Sequence, residues 1–366
     1  MSDNRRQYQT IQKALKTCYP IEPEGHLARH LTTLAGLVSG IVSSKRSHLS
    51  KIAAQVPDHS LAESRVKRFS RWVDNARIDL EAYFLPFATP LLASLPGPLF
   101  LVMDASAIGR GCATLVLSVI YRQRAVPLVW LVAKGGKGHF AEADHLTLVQ
   151  QLQPLLPPAT EVVFLGDGEF DGIDLLQQLT DYGWPYVCRT AKNTILWQGQ
   201  LAFSLADIPM EEGVCESWKN VRFTTQAYGP VHVILWWEKG YEEPIYLVTQ
   251  VANTAQACAY YRKRFKIETF FSDQKSRGFH LHKSHVADPQ RLARLMIAAC
   301  LAYIWILYLG TMAMDQGWVG VIHRSDRCDV SLFQLGLLWR DFLLNEVGYV
   351  PVAFRLIDFE GQECVR

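Results

Sequence analysis

The spacing of apolar positions changes three times along the chain. Across residues 1–80 it is helical: LARHLTTLAGLVSGIVSS repeats its apolar residues at three- and four-residue intervals. HLSKIAAQV and LAESRVKRFSRWVDN give two shorter helical patterns, separated by Pro57-Asp58-His59-Ser60. Ser60 is placed to cap the second, with Glu63 completing a capping box. That helix carries Arg65, Lys67, Arg68 and Arg71 within two turns. Such an arrangement suits a helix-turn-helix entering a DNA groove, and equally the solvated face of a surface helix. From Leu99 the texture becomes that of strands. LFLVMD, ATLVLSVIY and VPLVWLVA are apolar, β-branched runs split at Gly109-Arg110-Gly111-Cys112 and Arg122-Gln123-Arg124. A helix (ADHLTLVQQLQPLL), a strand (EVVFLGD), a helix (IDLLQQLTDYG) and a strand (PYVCRT) follow. The order β-β-β-α-β-α-β predicts an α/β fold around a mixed sheet. Residues 192–245 read as short antiparallel strands. One more strand (PIYLVTQV), a long helix from about Gln256 to Arg277, an apolar helix and a last helix around 331–346 complete the pattern.

The apolar helix needs a decision. Twenty uncharged residues lie between Arg294 and Asp315, long enough to span a bilayer. A solitary span directly after a basic helix is better read as a central helix buried on all sides, so no membrane partner is expected. With 49% hydrophobic residues in a chain of 366, there is ample material for a core, and disorder is excluded. The net charge of +2 names no partner, but its distribution does. Residues 1–80 hold 13 Lys and Arg against 7 Asp and Glu, and residues 260–285 hold 7 against 2. Two basic blocks on a near-neutral chain suggest a polyanion touching two places. The eight cysteines form no Cys-x-x-Cys pair, and the opening MSDNRRQYQT carries no apolar leader. Reduced thiols and a cytoplasmic location are expected.

Three carboxylates stand out. Asp104 ends LFLVMD, and Asp167 ends EVVFLGD between two glycines; ligands of α/β sheets bind beyond such strand ends, though an aspartate there is also a common turn residue. On the long helix Tyr261, Arg264, Glu268 and Lys275 follow the spacing Tyr-(2)-Arg-(3)-Glu-(6)-Lys. At about 100° per residue these four share one stripe about 60° wide. The stripe is also what a surface ion-pair ladder looks like, since Arg264 and Glu268 are an i,i+4 pair.

The run YYRKRFKIETFFSDQKSRG is similar to the signature of DDE transposases of bacterial insertion sequences, in the branch named after insertion sequence four. GDGEFDG resembles that branch's second-aspartate region, and MDASAIGRG with PLVWLVAKGGKGH its first. The resemblance covers roughly residues 60–310. It implies a ribonuclease-H-like core at 95–191 and 246–315. Around that core it implies a β-strand insertion at 192–245, a helical DNA-binding domain at 1–85 and a helical region at 316–366. It implies Asp104, Asp167 and Glu268 as the catalytic triad holding two Mg²⁺ ions, for which Mn²⁺ can substitute. Arg264 and Lys275 would grip phosphates, with Tyr261 bonding a phosphate or packing, and Trp236 or Trp237 of the insertion would stack on a flipped base. The partners implied are the terminal inverted repeats and target DNA, both double-stranded, with a homodimer in the synaptic complex. One departure is Gly168, where the family often has Arg. A nuclease that cuts without joining, or a silent DNA-binding derivative, would carry the same residues. Lys134-Gly135-Gly136-Lys137-Gly138-His139 lacks P-loop spacing. His280, His282 and His285 lack a fourth zinc ligand and extend the basic region instead.

Overall fold

The computed structural model describes residues 3–359 apart from 59, 137, 139, 325 and 326. Lys137 and His139 of the glycine-rich loop thus lie outside the described residues. Six helices come first: α1 (Asp3–Thr17), α2 (Gly25–Ser44), α3 (Leu49–Gln55), α4 (Ala62–Asp74), α5 (Leu80–Tyr83) and α6 (Leu85–Ala93). Strands β1 (Leu99–Ile108), β2 (Cys112–Tyr121) and β3 (Arg124–Lys134) form a meander. Next come α7 (Glu142–Leu152), β4 (Val162–Gly166), α8 (Ile173–Asp181) and β5 (Tyr186–Thr190). The order β-β-β-α-β-α-β stands as the periodicity predicts, and β1, β4 and β5 run parallel.

The zone 192–245 yields β6 (Ile195–Gln198), β7 (Leu201–Ser204), β8 (Cys215–Phe223) and β9 (Tyr228–Trp236), followed by β10 (Ile245–Thr249). These strands extend the same sheet. β10 pairs antiparallel with both β5 and β9, so ten strands run in the order β3-β2-β1-β4-β5-β10-β9-β8-β6-β7. The architecture is mixed α/β with a ribonuclease-H-like core.

The long helix expected from Gln256 to Arg277 is interrupted. It consists of α9 (Thr254–Lys263), a 3₁₀ turn over Arg264–Lys266, and α10 (Ile267–Gln274). A 3₁₀ turn advances about 120° per residue rather than 100°, so three such residues swing the second half by about 60°. The four signature residues therefore do not lie on one straight stripe. After α10 come α11 (Pro289–Asp315), α12 (Val319–Ile322) and α13 (Leu332–Phe342).

Helix α11 is long and apolar enough to cross a membrane, yet 89% of its apolar window is buried inside the protein. It packs against β3, α2, α4 and α13. The Trp130 indole of β3 donates to the Ala293 carbonyl at 3.2 Å, and Arg294 donates to the carbonyls of Val73 and Ile78, both at 3.0 Å. One hydrophobic cluster consequently joins the N-terminal helices, the sheet and the C-terminal helices. Close approach of α11 and α13 depends on two glycines. A Cβ on Gly336 would lie 1.9 Å from the Ile306 carbonyl oxygen, and one on Gly310 would lie 2.2 Å from that of Leu332.

The turn before α4 also departs from expectation. Ser60 is not the cap: Leu61 occupies that position without a side-chain bond, and the Ser60 hydroxyl donates to Asp58 at 2.5 Å. Asp58 accepts as well from Arg65 at 3.2 Å and Arg68 at 2.5 Å. These hydrogen bonds hold its carboxyl at about 2, below its ordinary range, despite partial burial.

Candidate active site

Asp104 does not end its strand. β1 continues to Ile108, so Asp104 lies in its interior, paired with Val116 of β2. The reason is visible in the neighbour: β4 stops at Gly166, while the β1–β2 hairpin runs on past it. The parallel register pairs Leu99 with Val162 and Val102 with Leu165. Continued by two residues, it sets Asp104 level with Asp167, on chains about 4.8 Å apart. That extended register brings two carboxylates from positions 63 residues apart in sequence to the carboxyl end of β4. Asp104 is only 4% exposed, and its Oδ1 accepts the Ala105 amide at 2.7 Å. Asp167 is half-buried; its Oδ1 accepts the Glu169 amide at 3.1 Å, a turn that the following residues close.

Two of the signature residues reach this pair or its strand. Arg264 is buried, and its guanidinium stands 3.8 Å from Asp167 Oδ2. Tyr261 is fully buried beside Arg264 and Phe265, and burial pushes its phenol up from the ordinary tyrosine range. It packs and orients Arg264; it is not placed to touch a ligand. Lys275 caps the end of α10, and its Nζ donates to Ser106 Oγ at 2.6 Å. Ser106 is two residues from Asp104 and so lies on the same face of β1. Glu268, in the first turn of α10, is exposed and lies in sequence between the residue that meets Asp167 and the residue that meets β1. Among the described residues no three Asp, Glu, His or Cys side chains converge closely enough to enclose an ion.

α10 is fixed by a pair that sequence reading missed. Arg124 of β3 and Asp273 bond at 2.9 Å, with side chains 4% and 2% exposed. Burial outweighs the adjacent guanidinium and pushes the Asp273 carboxyl up to about 6. Reading from sequence also missed the cleft beside Asp167. It measures about 520 Å³ and is lined by Asp167, Arg189, Lys192, Tyr246 and Arg264 among others. The strand-end rule applied to PYVCRT at β5 would have found Arg189. His145 of α7 is a third omission; it is buried, packs on Phe170 at 4.8 Å between centroids, and has its pKa lowered by burial.

A family model described as the transposase DDE domain matches residues 98–305, more than half of the chain. This chain belongs to the DDE transposase family. The matched segment begins just before β1 and ends within α11, so it contains Asp104, Asp167 and Glu268 together with all ten strands. Among solved structures, the cryo-EM structure of a piggyBac transposase synaptic complex with hairpin DNA is similar. Its TM-score is 0.46 at 13% identity, covering 93% of this chain and 80% of that one. Curated protein sequences give no match.

The remaining expected DNA contacts are placed unequally in this transposase. Arg65 is committed to the turn before α4: besides Asp58, it donates to the carbonyls of Ala53 at 2.7 Å and Ser60 at 2.6 Å. Arg68 is paired with Asp58 at 2.5 Å. Lys67 and Arg71 are exposed. Trp236 is 6% exposed, beneath the Arg262 guanidinium at 4.6 Å. Trp237 is half-buried and donates to the Tyr241 carbonyl at 2.9 Å. Neither tryptophan lines the cleft beside Asp167, whose aromatic residue is Tyr246.

The donor chemistry fits a hard divalent cation. All three carboxylates are oxygen donors, and magnesium is ordinarily held by one or two carboxylates with water completing its shell. The adjacent Asp104 and Asp167 meet that requirement.

Proposed function

We propose that this DDE transposase binds the terminal inverted repeats of an insertion sequence, cleaves next to their 3′ ends and joins those ends to target DNA. The observation that carries this reading is the level placement of Asp104 and Asp167, bracketed by Arg264 at one carboxylate and Lys275 on the strand of the other. Asp104 and Asp167 would hold Mg²⁺, with Mn²⁺ able to replace it, and Glu268 would supply the third carboxylate. When bound, such ions activate an attacking oxygen and stabilise the leaving one.

The chain's own residues set the phosphodiester in place. Arg264 offers a planar, bidentate donor to non-bridging oxygens, and its burial against Tyr261 and Phe265 removes rotamers that would cost entropy on binding. Lys275 supplies a point charge on the β1 side. Lys192 and Arg264, with Arg189 offset by Glu243 at 3.5 Å, would attract the strand continuing past the scissile bond into the cleft beyond Asp167. Residues 1–85 are the part assigned to end recognition, through the exposed Lys67 and Arg71. Two ends must be held together during joining, which calls for at least a homodimer. The location assigned is the cytoplasm.

The test is strand transfer. Purified protein is given pre-cut, labelled end duplexes and a circular target in Mg²⁺. Joined products support the reading; cleavage of uncut ends without joining would reassign the protein as a nuclease on the same fold.

A further inference from the structure

Several arginines of this chain have an acid within reach. Arg65 and Arg68 meet Asp58, Arg262 meets Glu238, Arg291 meets Asp74 and Arg189 meets Glu243. One corner differs. There the α2–α3 connection (residues 45–48) meets the segment 279–285 that follows α10, and the Ser47 hydroxyl fastens the two by donating to the Phe279 carbonyl at 2.9 Å. Four histidines gather at this junction. The rings of His48 and His285 lie 5.2 Å apart, and those of His280 and His282 lie 5.8 Å apart. Arg46, Lys51 and Lys283 are exposed around them.

The neighbours that act on His48, His280 and His282 are Lys, Arg and other imidazoles of the cluster. His280 faces Arg46, Lys283 and His282; His282 faces Lys283, Lys275 and Arg46; His48 faces His285 and Lys51. Burial first, and then these neighbours, push all three rings down from the ordinary histidine range, which favours the neutral ring. Their Nδ1 atoms are buried with no hydrogen-bond partner among the described residues. A buried Nδ1 with nothing to donate to favours the tautomer whose proton is on Nε2, the ring nitrogen left to donate. Lys45 of the same connection is taken up by Asp341 at 3.5 Å, but Arg46, Lys51 and Lys283 have no ion-pair partner among the described residues, and with the histidine N–H groups they make a surface suited to a spread negative charge. The corner also adjoins the candidate active site, because the His280 amide donates to the Lys275 carbonyl at 3.0 Å.

We propose that Arg46, His48, Lys51, His280, His282 and Lys283 form a second phosphate-binding surface, which grips the duplex flanking the cleavage site. The inference rests on the DNA reading above and extends it to residues outside both the triad and α4. Cations here neutralise backbone charge, and the histidines donate to phosphate oxygens, so the contact positions DNA and carries no sequence preference.

The experiment measures binding of the full chain to a fluorescein-labelled random-sequence 30-bp duplex over a range of salt. Two triple variants are compared with wild type, after equal thermal unfolding midpoints have shown that each is folded. In R46Q/K51Q/K283Q the slope of log K against log salt should become shallower by about 2–3, since each lost phosphate contact removes about 0.9. In H48A/H280G/H282A, which removes the ring donors, the slope should stay as in wild type, while affinity falls about tenfold, the loss of roughly one net hydrogen bond to a charged group. Gly at position 280 tolerates the left-handed backbone there, φ 51°. An unchanged slope in the first variant, with steep salt dependence in wild type, overturns the proposal and leaves the DNA reading standing. Wild-type binding that ignores salt overturns both.

Discussion

Asp273 shows how one side chain ties stability to the site. It anchors α10, and thereby Glu268 and Lys275, through its buried bond to Arg124. Replacing it by Asn strands a guanidinium in the core, and breaking a buried pair from one side costs about 3–5 kcal/mol. D273N should therefore lower the unfolding midpoint sharply, while R124M/D273L, which removes both charges, should recover most of the loss. The pH dependence has a definite sign. The folded carboxyl titrates at about 6, above the ordinary aspartate value of 3.8. Between those values the folded protein binds more protons than the unfolded chain, so this group's contribution to stability is largest below the lower value and declines as pH rises to 6. Unfolding by urea at pH 4.5 and pH 7 should show this contribution in wild type and not in R124M/D273L. Neither residue was conspicuous in sequence, because Arg124 reads as a turn residue and only the folded sheet carries it to α10. Asp104 and Asp167 were legible, as acids on apolar strands, although the strand containing Asp104 proved longer than its apolar run because the hairpin outreaches β4.

At the scale of elements, the α11–α13 crossing depends on backbone contact at two glycines. G336A puts a methyl against the Ile306 carbonyl and should destabilise the protein by about 1–3 kcal/mol, as overpacking does, with calorimetry as the readout. An Ala scan of neighbouring exposed positions such as Leu338 should give much smaller losses. The insertion strands test a different expectation. Trp236 is sandwiched by Arg262 and its own sheet, whereas Trp237 is half-exposed. W236A should lose stability; W237A should stay folded, and if it stacks on a base it should slow release of the second strand by an amount equivalent to about 1–3 kcal/mol. Release at the wild-type rate by a folded W237A would remove the insertion from base contact. Helix and strand identities were readable because their periods differ. The 3₁₀ break was not: Arg264–Lys266 carries no Gly or Pro, and burial of Arg264 against Tyr261 and Asp167 turns the chain there.

Across the whole molecule, a single apolar cluster welds the basic N-terminal helices to the sheet by way of α11. End recognition is consequently tested in the full chain. K67Q/R71Q should weaken binding to the element's own end more than to random duplex, without altering fold, because Arg65 and Arg68 hold the turn and the exposed pair faces outward. Equal weakening on both duplexes would mean that α4 supplies only backbone contacts. The apolar length of α11 left sequence reading with two options, and burial under α13, α2 and the sheet accounts for its composition. Sequence could not show that the insertion continues the core sheet, since the pairing of β10 with β5, which joins the two parts, is non-local.

Asp104, Asp167 and Glu268 are proposed to act together on DNA. The most direct test is nicking of a labelled end duplex in Mg²⁺ by wild type, D104N and E268Q, each first shown to bind the duplex. The amide variants keep shape and remove one charge, so folding and end binding should persist. Nicking should collapse in both, at least as completely in D104N, and Ca²⁺ should support wild-type binding with little cutting because its looser shell misplaces the nucleophile. Nicking by E268Q at the wild-type rate would contradict the account and release the Tyr261–Lys275 segment from any part in catalysis.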